Sequence, residues 1–157
     1  MGVGKTFPDA FGKALLAAGV ELPKGGRAFV SVRNADKDAV LSIGRQLVDL
    51  GFELVATRGT YNTMQEAGID CQYINKVTEG RPHIVDLIKN DEITFIVNTT
   101  DGRQAIEDSG EIRRTALQRR IVYTTTVSGA GAMCLVMQRD SLGDVYRLQD
   151  LHKELAL

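Results

Sequence analysis

The chain alternates short apolar runs with longer segments in which apolar residues recur every three or four positions. The apolar runs are rich in β-branched residues and predict strands at 27–32, 54–56, 72–75, 93–97 and 121–123. The helical segments lie at 36–50, 61–67, 83–89, 104–119, 128–138 and in the tail 146–157. Because strands that alternate with helices join through right-handed crossovers, this order predicts a three-layer α/β fold, with about five parallel strands and helices on both faces.

A separate helix precedes this alternation. Within residues 6–19, apolar side chains recur at helical spacing and a glycine ends the segment: Phe7, Phe11, Leu15, Ala18 and Gly19. The stretch 22–26, Leu-Pro-Lys-Gly-Gly, then separates this helix from the first strand. We therefore predict a connector helix and linker over residues 1–25 and the α/β domain over residues 26–157. A connector of this kind favours a chain that is the end of a larger polypeptide.

Composition narrows the class of protein. With 157 residues and 43% hydrophobic content, the chain fits one domain that buries roughly 70% of its unfolded surface. The net charge of -1 does not favour a nucleic acid or a membrane as partner. Cys71 and Cys134 stand in apolar stretches without metal-ligand spacing, and we expect small buried hydrophobes there. No signal peptide or membrane span is evident, and a cytoplasmic location is expected.

Polar side chains follow the carboxyl ends of four predicted strands, which is where open α/β sheets bind ligands. The second strand, for example, stops at Thr57-Arg58-Gly59-Thr60 before a helix begins. Hydroxyls, ammonium groups and the free N–H groups of helix N-termini are together suited to a phosphate ester. The candidate hydroxyls and cations are Ser31, Lys37, Thr57, Thr60 and Lys76, and the candidates for a sugar are Asn98 and Thr100.

Structural roles compete with ligand binding at these positions. Serine, threonine and aspartate at strand-to-helix turns are common helix caps, and capping is the expected role of Asp36 and Asp101. Lys37 is different, because a cation in the first turn of a helix opposes the macrodipole unless an anion lies nearby. Lys76 is equally compatible with a solvated surface lysine.

Candidates for acid-base chemistry are few. His83 is predicted to follow Pro82 in the first turn of a short helix, and His152 lies in the charged tail. A hydrogen-bonded histidine without catalytic duty is the more frequent outcome at such a position. Asp101, between Thr100 and Gly102, is the best candidate for a base. The sequence has no Ser-His-Asp order and no metal-ligand cluster.

Five motifs occur in order along the chain. They are Phe29-Val-Ser-Val-Arg33 with Asp36-Lys37, Gly51-Phe-Glu-Leu-Val-Ala-Thr-Arg-Gly-Thr60, Val77-Thr-Glu-Gly-Arg-Pro-His-Ile84, Ile96-Val-Asn-Thr-Thr-Asp-Gly-Arg103, and Ala105-Ile-Glu-Asp-Ser109 with Ile112-Arg-Arg114. Together they resemble the C-terminal regulatory domain of the carbamoyl phosphate synthase large subunit, which has the methylglyoxal synthase-like fold. The match covers about residues 27–140, and residues 1–18 resemble the connector that enters this domain.

The resemblance implies a domain without catalysis of its own that binds nucleotide effectors such as UMP and IMP. Its implied partners are the ATP-grasp synthetase domains of the same large subunit and the small glutaminase subunit. The domain itself is expected to hold no cofactor, since the rest of the parent ligase, an enzyme of arginine and pyrimidine biosynthesis, uses ATP, Mg and bicarbonate. Self-association stays open.

The resemblance also assigns roles to residues. The implied phosphate clamp is Ser31, Lys37, Thr57, Thr60 and Lys76, and the implied ribose and base contacts are Val77, Ile84, Asn98, Thr100 and Asp108. Tyr123 and Thr125 match positions that face a neighbouring domain near an ornithine effector in part of the family. Asp101 stands where a serine is familiar, and Gln104 where an arginine is familiar, so the effector's identity is left open.

A free-standing lyase of the same fold is the alternative. Methylglyoxal synthase also holds a phosphate ester, but it needs carboxylates to abstract a proton from dihydroxyacetone phosphate. Its acidic Gly-Asp loop after the third strand has no counterpart in Asn75-Lys-Val-Thr-Glu-Gly80. The pair Pro82-His83 is shared by both families and does not discriminate between them.

Overall fold

Five parallel strands form one sheet in the order β3-β2-β1-β4-β5 in a computed structural model of the chain. The strands are β1 (Gly26–Ser31), β2 (Phe52–Ala56), β3 (Gln72–Tyr73), β4 (Phe95–Asn98) and β5 (Val122–Thr124). Phe29 of β1 lies opposite Val55 of β2 and Ile96 of β4. The strand order reverses between β1 and β4, and the carboxyl ends of these two strands therefore flank a topological switch point.

The structure describes residues 1–101 and 103–155; for residues 103–105, 108, 154 and 155 it describes the backbone alone. The helices of this part of the chain are α1 (Phe7–Ala17), α2 (Lys37–Asp49), α3 (Arg58–Glu66), α4 (Ile84–Lys89), α5 (Arg103–Gln118), α6 (Val127–Met137) and α7 (Leu148–Leu155). Helix α2 packs against α3, and α4 packs against α5. The predicted three-layer α/β fold with a parallel sheet is thus confirmed.

The core of the sheet is continuous and apolar, as expected when both faces are covered. Phe29 and Ile96 are fully buried at its centre, and Ile84 and Ile88 of α4 pack against them. The contacts divide the chain into two compact units, one of residues 23–131 and one of residues 1–22 with 132–157. Both cysteines are buried free thiols, as predicted.

Helix α3 begins earlier than its periodicity suggests. The sequence predicts a loop at 57–60 and a helix from Tyr61, whereas the helix runs from Arg58, and Thr57 is its extended N-cap residue. The Tyr61 N–H donates to the Thr57 carbonyl at 2.8 Å, so the first helical hydrogen bond already spans the presumed loop. Thr60 therefore lies in the first turn of α3 and has a fixed direction.

The start of α4 also differs from the prediction. Pro82 is not in the first turn, because α4 begins at Ile84 and His83 is its extended N-cap residue. A parallel bridge pairs His83 with Asn75, which keeps the backbone extended up to this point. The His83 N–H donates to the Asp86 carboxylate at 3.0 Å, and this bond holds the pKa of Asp86 below its usual value.

Helix α1 exists as predicted, but its apolar stripe is not its buried side. Phe7 is 58% exposed, whereas Asp9 and Gly12 are buried. Gly12 packs against Val136 and Leu142, and an added Cβ would clash with the Leu142 side chain. Close packing at the glycine thus decides which side of the helix faces inward. Within the described residues, no helix has both the length and the apolarity that a membrane span requires.

Candidate functional site

A cavity of about 340 Å³ opens beyond the carboxyl ends of β1 and β4, at the switch point of the sheet. Seven of the residues singled out from the sequence line it: Ser31, Thr57, Lys76, Val77, Ile84, Asn98 and Thr100. They come from four strand ends and from the start of α4, and they meet because the sheet is parallel. Lys37, Thr60, Tyr123 and Thr125 do not belong to the lining. The side chain of Asp108 lies outside the described part of the chain.

Two hydroxyls of the cavity lining lie next to each other. The oxygens of Ser31 and Thr57 lie 2.9 Å apart, within hydrogen-bond distance. Thr57 occupies the N-cap position of α3, yet its side chain makes no capping hydrogen bond. The competing explanation of Thr57 as a helix cap is therefore wrong, and the first-turn N–H groups of α3 lack the acceptor that a capping side chain supplies.

Lys37 lies where two helices begin. It is the first residue of α2, and a Cβ added to Gly59, in the first turn of α3, would lie 3.2 Å from Lys37 Nζ. No ion pair of Lys37 occurs among the residues that the structure describes. A cation beside two helix N-termini, without a carboxylate, concentrates positive potential at one place.

Thr60 has a structural role. Its side chain is 1% exposed, and its hydroxyl oxygen accepts a hydrogen bond from the Val32 N–H at 3.1 Å. This bond fastens the first turn of α3 to the residue that follows β1. Direct contact between Thr60 and a ligand stays a prediction.

Asn98 is a buried polar residue with an unused donor. It is 3% exposed, it lines the cavity, and it lies opposite Ser31 in the sheet. Its side-chain nitrogen has no hydrogen-bond partner within the described structure. An unpaired buried amide costs on the order of 1–3 kcal/mol, which a ligand with an acceptor oxygen can recover.

Several lining residues were not singled out from the sequence. Arg33, Asn34 and Ala35 follow β1, Thr99 follows β4, and the others are Phe29, Val32, Ser109 and Ile112. Asp101, the predicted candidate for a base, also lines the cavity after β4. The residues that follow strand ends could have been predicted from their position in the chain, because the carboxyl ends of parallel strands lie at one edge of the sheet. Ser109 and Ile112 lie in the middle of α5, where only the packing of that helix brings them to the cavity.

Asp36 organises the rim of the cavity and does not cap α2. Its side chain makes no capping hydrogen bond, and its Oδ2 instead accepts from Arg33 Nε at 2.8 Å. Hydrogen bonds from Arg33 and then from Thr99 hold the pKa of Asp36 below its usual value. The expectation that Asp36 caps the helix is wrong, because Arg33 stands three residues earlier and reaches the carboxylate first.

Thr100 connects the cavity to β5. Its hydroxyl oxygen lies 3.5 Å from Arg113 Nη2, and Arg113 Nε donates to the Tyr123 hydroxyl at 3.2 Å. Tyr123 is half-buried and Thr125 is exposed. Their contact with a neighbouring domain stays a prediction.

Neither histidine reaches the cavity lining. His83 is buried, and its Nδ1 lies 3.5 Å from Asp86 Oδ2 without a hydrogen bond among the described residues. His152 is exposed on α7. Of the acidic side chains, only Asp101 belongs to the described lining, and it is exposed at the rim.

Comparison with known proteins identifies the family of the domain. Residues 39–125 match the family model of the MGS-like domain, which is more than half of the chain. The chain belongs to the MGS-like domain family. The matched region of this MGS-like domain includes Thr57, Lys76 and Asn98, whereas Ser31 and Lys37 precede it.

Relatives cover almost all of this MGS-like domain. The carbamoyl phosphate synthase large chain of Xanthomonas axonopodis pv. citri is 56% identical over 155 residues, which is 99% of this chain and 14% of the relative. The large chain of Pseudomonas syringae pv. tomato is 54% identical over the same shares. The MGS-like domain thus spans about 14% of the length of these relatives.

A solved structure shares the fold. Methylglyoxal synthase from Elizabethkingia anophelis superimposes with a TM-score of 0.59 and covers 84% of this chain and 93% of its own. The two sequences are 12% identical, so the likeness concerns the fold of the MGS-like domain alone.

Proposed function

We propose that this MGS-like domain is the regulatory domain of a carbamoyl phosphate synthase large chain and binds a nucleotide effector such as UMP or IMP in the cavity. The observation that supports this most is that Lys37 Nζ lies beside the first turn of α3, whose N-cap residue Thr57 lines the cavity. Among the described residues, Lys37 has no carboxylate partner. A phosphate seated there meets an ammonium group, two hydroxyls and free backbone N–H groups. The relatives named as large chains support the parent protein.

The remaining lining suits the rest of a nucleotide. Asn98 and Thr100 add an amide donor and a hydroxyl to the lining, which suits the hydroxyls of a ribose. Val77 and Ile84 offer an apolar wall for a base. Asp108 belongs to the same proposal through the family resemblance alone. A volume of about 340 Å³ is at the lower end of ordinary small-ligand sites, which agrees with a mononucleotide.

The proposed mechanism is linkage between the cavity and the rest of the large chain. An effector with unequal affinity for two arrangements of this domain against the ATP-grasp domains shifts their population, with coupling typically of about 1–3 kcal/mol. The synthetase domains, together with the small glutaminase subunit, would then use ATP, Mg and bicarbonate in the cytoplasm. Tyr123 and Thr125 are the proposed contacts near an ornithine effector.

Calorimetry with UMP and with IMP tests the binding proposal. The purified chain should bind at least one nucleotide saturably, and Lys37→Met should weaken that binding by about tenfold or more, since charge-assisted bonds are the strong ones. Lys24→Met is the matched control, because Lys24 precedes the amino end of β1, at the opposite end of the strand from the cavity. Absence of binding by both nucleotides would overturn the proposal.

The proposal includes no turnover of the bound phosphate ester. The rival lyase is favoured by one feature, the Asp101 carboxylate at the cavity rim. We therefore suggest incubating the chain with dihydroxyacetone phosphate and assaying methylglyoxal, with Asp101→Asn as the paired variant. Production of methylglyoxal that Asp101→Asn abolishes would favour the lyase, and no product above the uncatalysed rate supports a regulatory domain.

A further inference from the structure

Residues 76–83 form a loop between β3 and α4 that supplies Lys76 and Val77 to the cavity. Lys76 is exposed, and three consecutive residues after it form a single 3-10 turn, Val77–Glu79. A short surface loop of this kind needs specific bonds to keep one conformation. The bonds that hold it converge on residues that do not line the cavity.

Asn75 joins the two ends of this loop. Its side-chain nitrogen donates to the Pro82 carbonyl at 3.1 Å, and its own carbonyl accepts from the Ile84 N–H at 3.3 Å. Asn75 is also the residue directly before Lys76. The hydrogen bonds of Asn75 therefore tie the main chain that precedes Lys76 to the far end of the loop.

Tyr73 fixes the orientation of Asn75. The Tyr73 hydroxyl donates to Asn75 Oδ1 at 2.7 Å, which leaves the amide nitrogen free to reach Pro82. The same hydroxyl accepts from Arg58 Nη2 at 3.3 Å, and the Arg58 guanidinium lies 5.1 Å from the centre of the tyrosine ring. Arg58 directly follows Thr57, one of the two hydroxyl residues to which the phosphate is proposed to bind.

We propose that the Tyr73 hydroxyl, acting through Asn75, is a positioning group that sets Lys76 relative to the first turn of α3. The inference rests on the proposed function and adds to it a residue outside the cavity. A hydroxyl that accepts from one element and donates to the next fixes both, and a preorganised cation loses less freedom when the anion arrives. Glu79 completes the arrangement, because its Oε2 accepts from the Lys76 N–H at 2.9 Å.

Tyr73→Phe removes this hydroxyl and keeps the ring. We expect UMP affinity to fall about three- to tenfold, the range of one net hydrogen bond, with affinity for uridine changed less than about twofold. Uridine lacks the phosphate, so its binding is expected to be weak. An NMR titration, which is suited to weak binding, measures its affinity. Tyr61→Phe is the matched control, because the Tyr61 ring lies 6.0 Å from that of Tyr73 and its hydroxyl has no hydrogen bond among the described residues.

Equal losses for UMP and uridine would overturn the inference, as would an unchanged UMP affinity in Tyr73→Phe. Amide hydrogen exchange tests the same positioning without a ligand. In Tyr73→Phe the Ile84 amide should exchange about three- to tenfold faster, whereas the Phe29 amide inside the sheet keeps its rate. An unchanged Ile84 rate would also overturn the inference, and a wild-type chain that binds no nucleotide would overturn the proposed function instead.

Discussion

The hydroxyl oxygens of Ser31 and Thr57 lie 2.9 Å apart, at the carboxyl ends of neighbouring strands. This pair joins β1 to the start of α3 and leaves α3 without a side-chain cap. A hydroxyl has one hydrogen and two lone pairs, so the pair can still donate one hydrogen to an anion. The relationship therefore links the geometry of the fold to the proposed phosphate site.

Ser31→Ala is the direct test of this pair. We expect UMP affinity to fall about tenfold or more, because a hydrogen bond to a charged group contributes about 1.5–3 kcal/mol. Calorimetry measures the change, and Ser42→Ala, on the exposed side of α2, is the control for the same substitution. Equal affinities for wild-type and Ser31→Ala would show that the hydroxyl does not face the phosphate.

Lys37→Met should separate ligand binding from stability. Without ligand, the variant should be more stable by about 0.3–1 kcal/mol, because a cation at a helix N-terminus opposes the macrodipole. With saturating UMP, the order should reverse, since the wild-type chain gains the larger binding contribution. Thermal unfolding with and without UMP measures both effects. A loss of stability in the absence of ligand would contradict the assignment.

Asn98→Leu is a second case in which function and stability oppose each other. Leucine has a similar branched shape and removes the unpaired amide, so unfolding free energy should stay equal or rise by about 1 kcal/mol. Nucleotide affinity should fall, because the side-chain N–H donor to the ligand is lost. Urea unfolding and calorimetry measure these two quantities, and Asn62→Leu on the exposed side of α3 is the control. A large destabilisation would mean that the amide already has a partner.

The hydrogen bonds of the Asp9 carboxylate predict that the stability of the fold depends on pH. Its carboxylate accepts from the Thr6 hydroxyl at 2.6 Å and from Arg139 Nη2 at 3.1 Å, and these bonds, Thr6 first, lower the pKa of Asp9. Because the pKa of Asp9 is lower in the folded state, its carboxylate stabilises the fold at pH values above its unfolded-state pKa of about 4. This stabilisation is lost as the pH falls through the folded-state pKa. Asp9→Asn should therefore lose stability at pH 7 and resemble the wild type near pH 2.

Urea unfolding of both chains, followed by circular dichroism, measures the Asp9 effect. Asp70→Asn is the control, because Asp70 is exposed between α3 and β3. A stability difference between wild-type and Asp9→Asn that stays constant from pH 7 to pH 2 would contradict the linkage.

Periodicity alone was sufficient for the element order. The β-branched runs and helical stripes located all five strands and the helices between them, because each element must bury one side whatever its neighbours are. Parallel strands also bring their carboxyl ends together, and the sequence therefore grouped Ser31, Thr57 and Asn98 correctly. The lack of apolar residues over Thr57–Thr60 predicts a loop there and hides the first turn of α3.

The tertiary structure decided which polar groups are free. Thr57 and Asp36 both stand where helix caps are common, yet one pairs with Ser31 and the other with Arg33. Thr60 is occupied by the Val32 N–H, whereas the Asn98 amide has no described partner. Sequence determines which hydroxyls, amides and cations arrive at the edge of the sheet. Which of them still has an unused donor depends on distances of a few ångströms between separate elements, and only packing sets those distances.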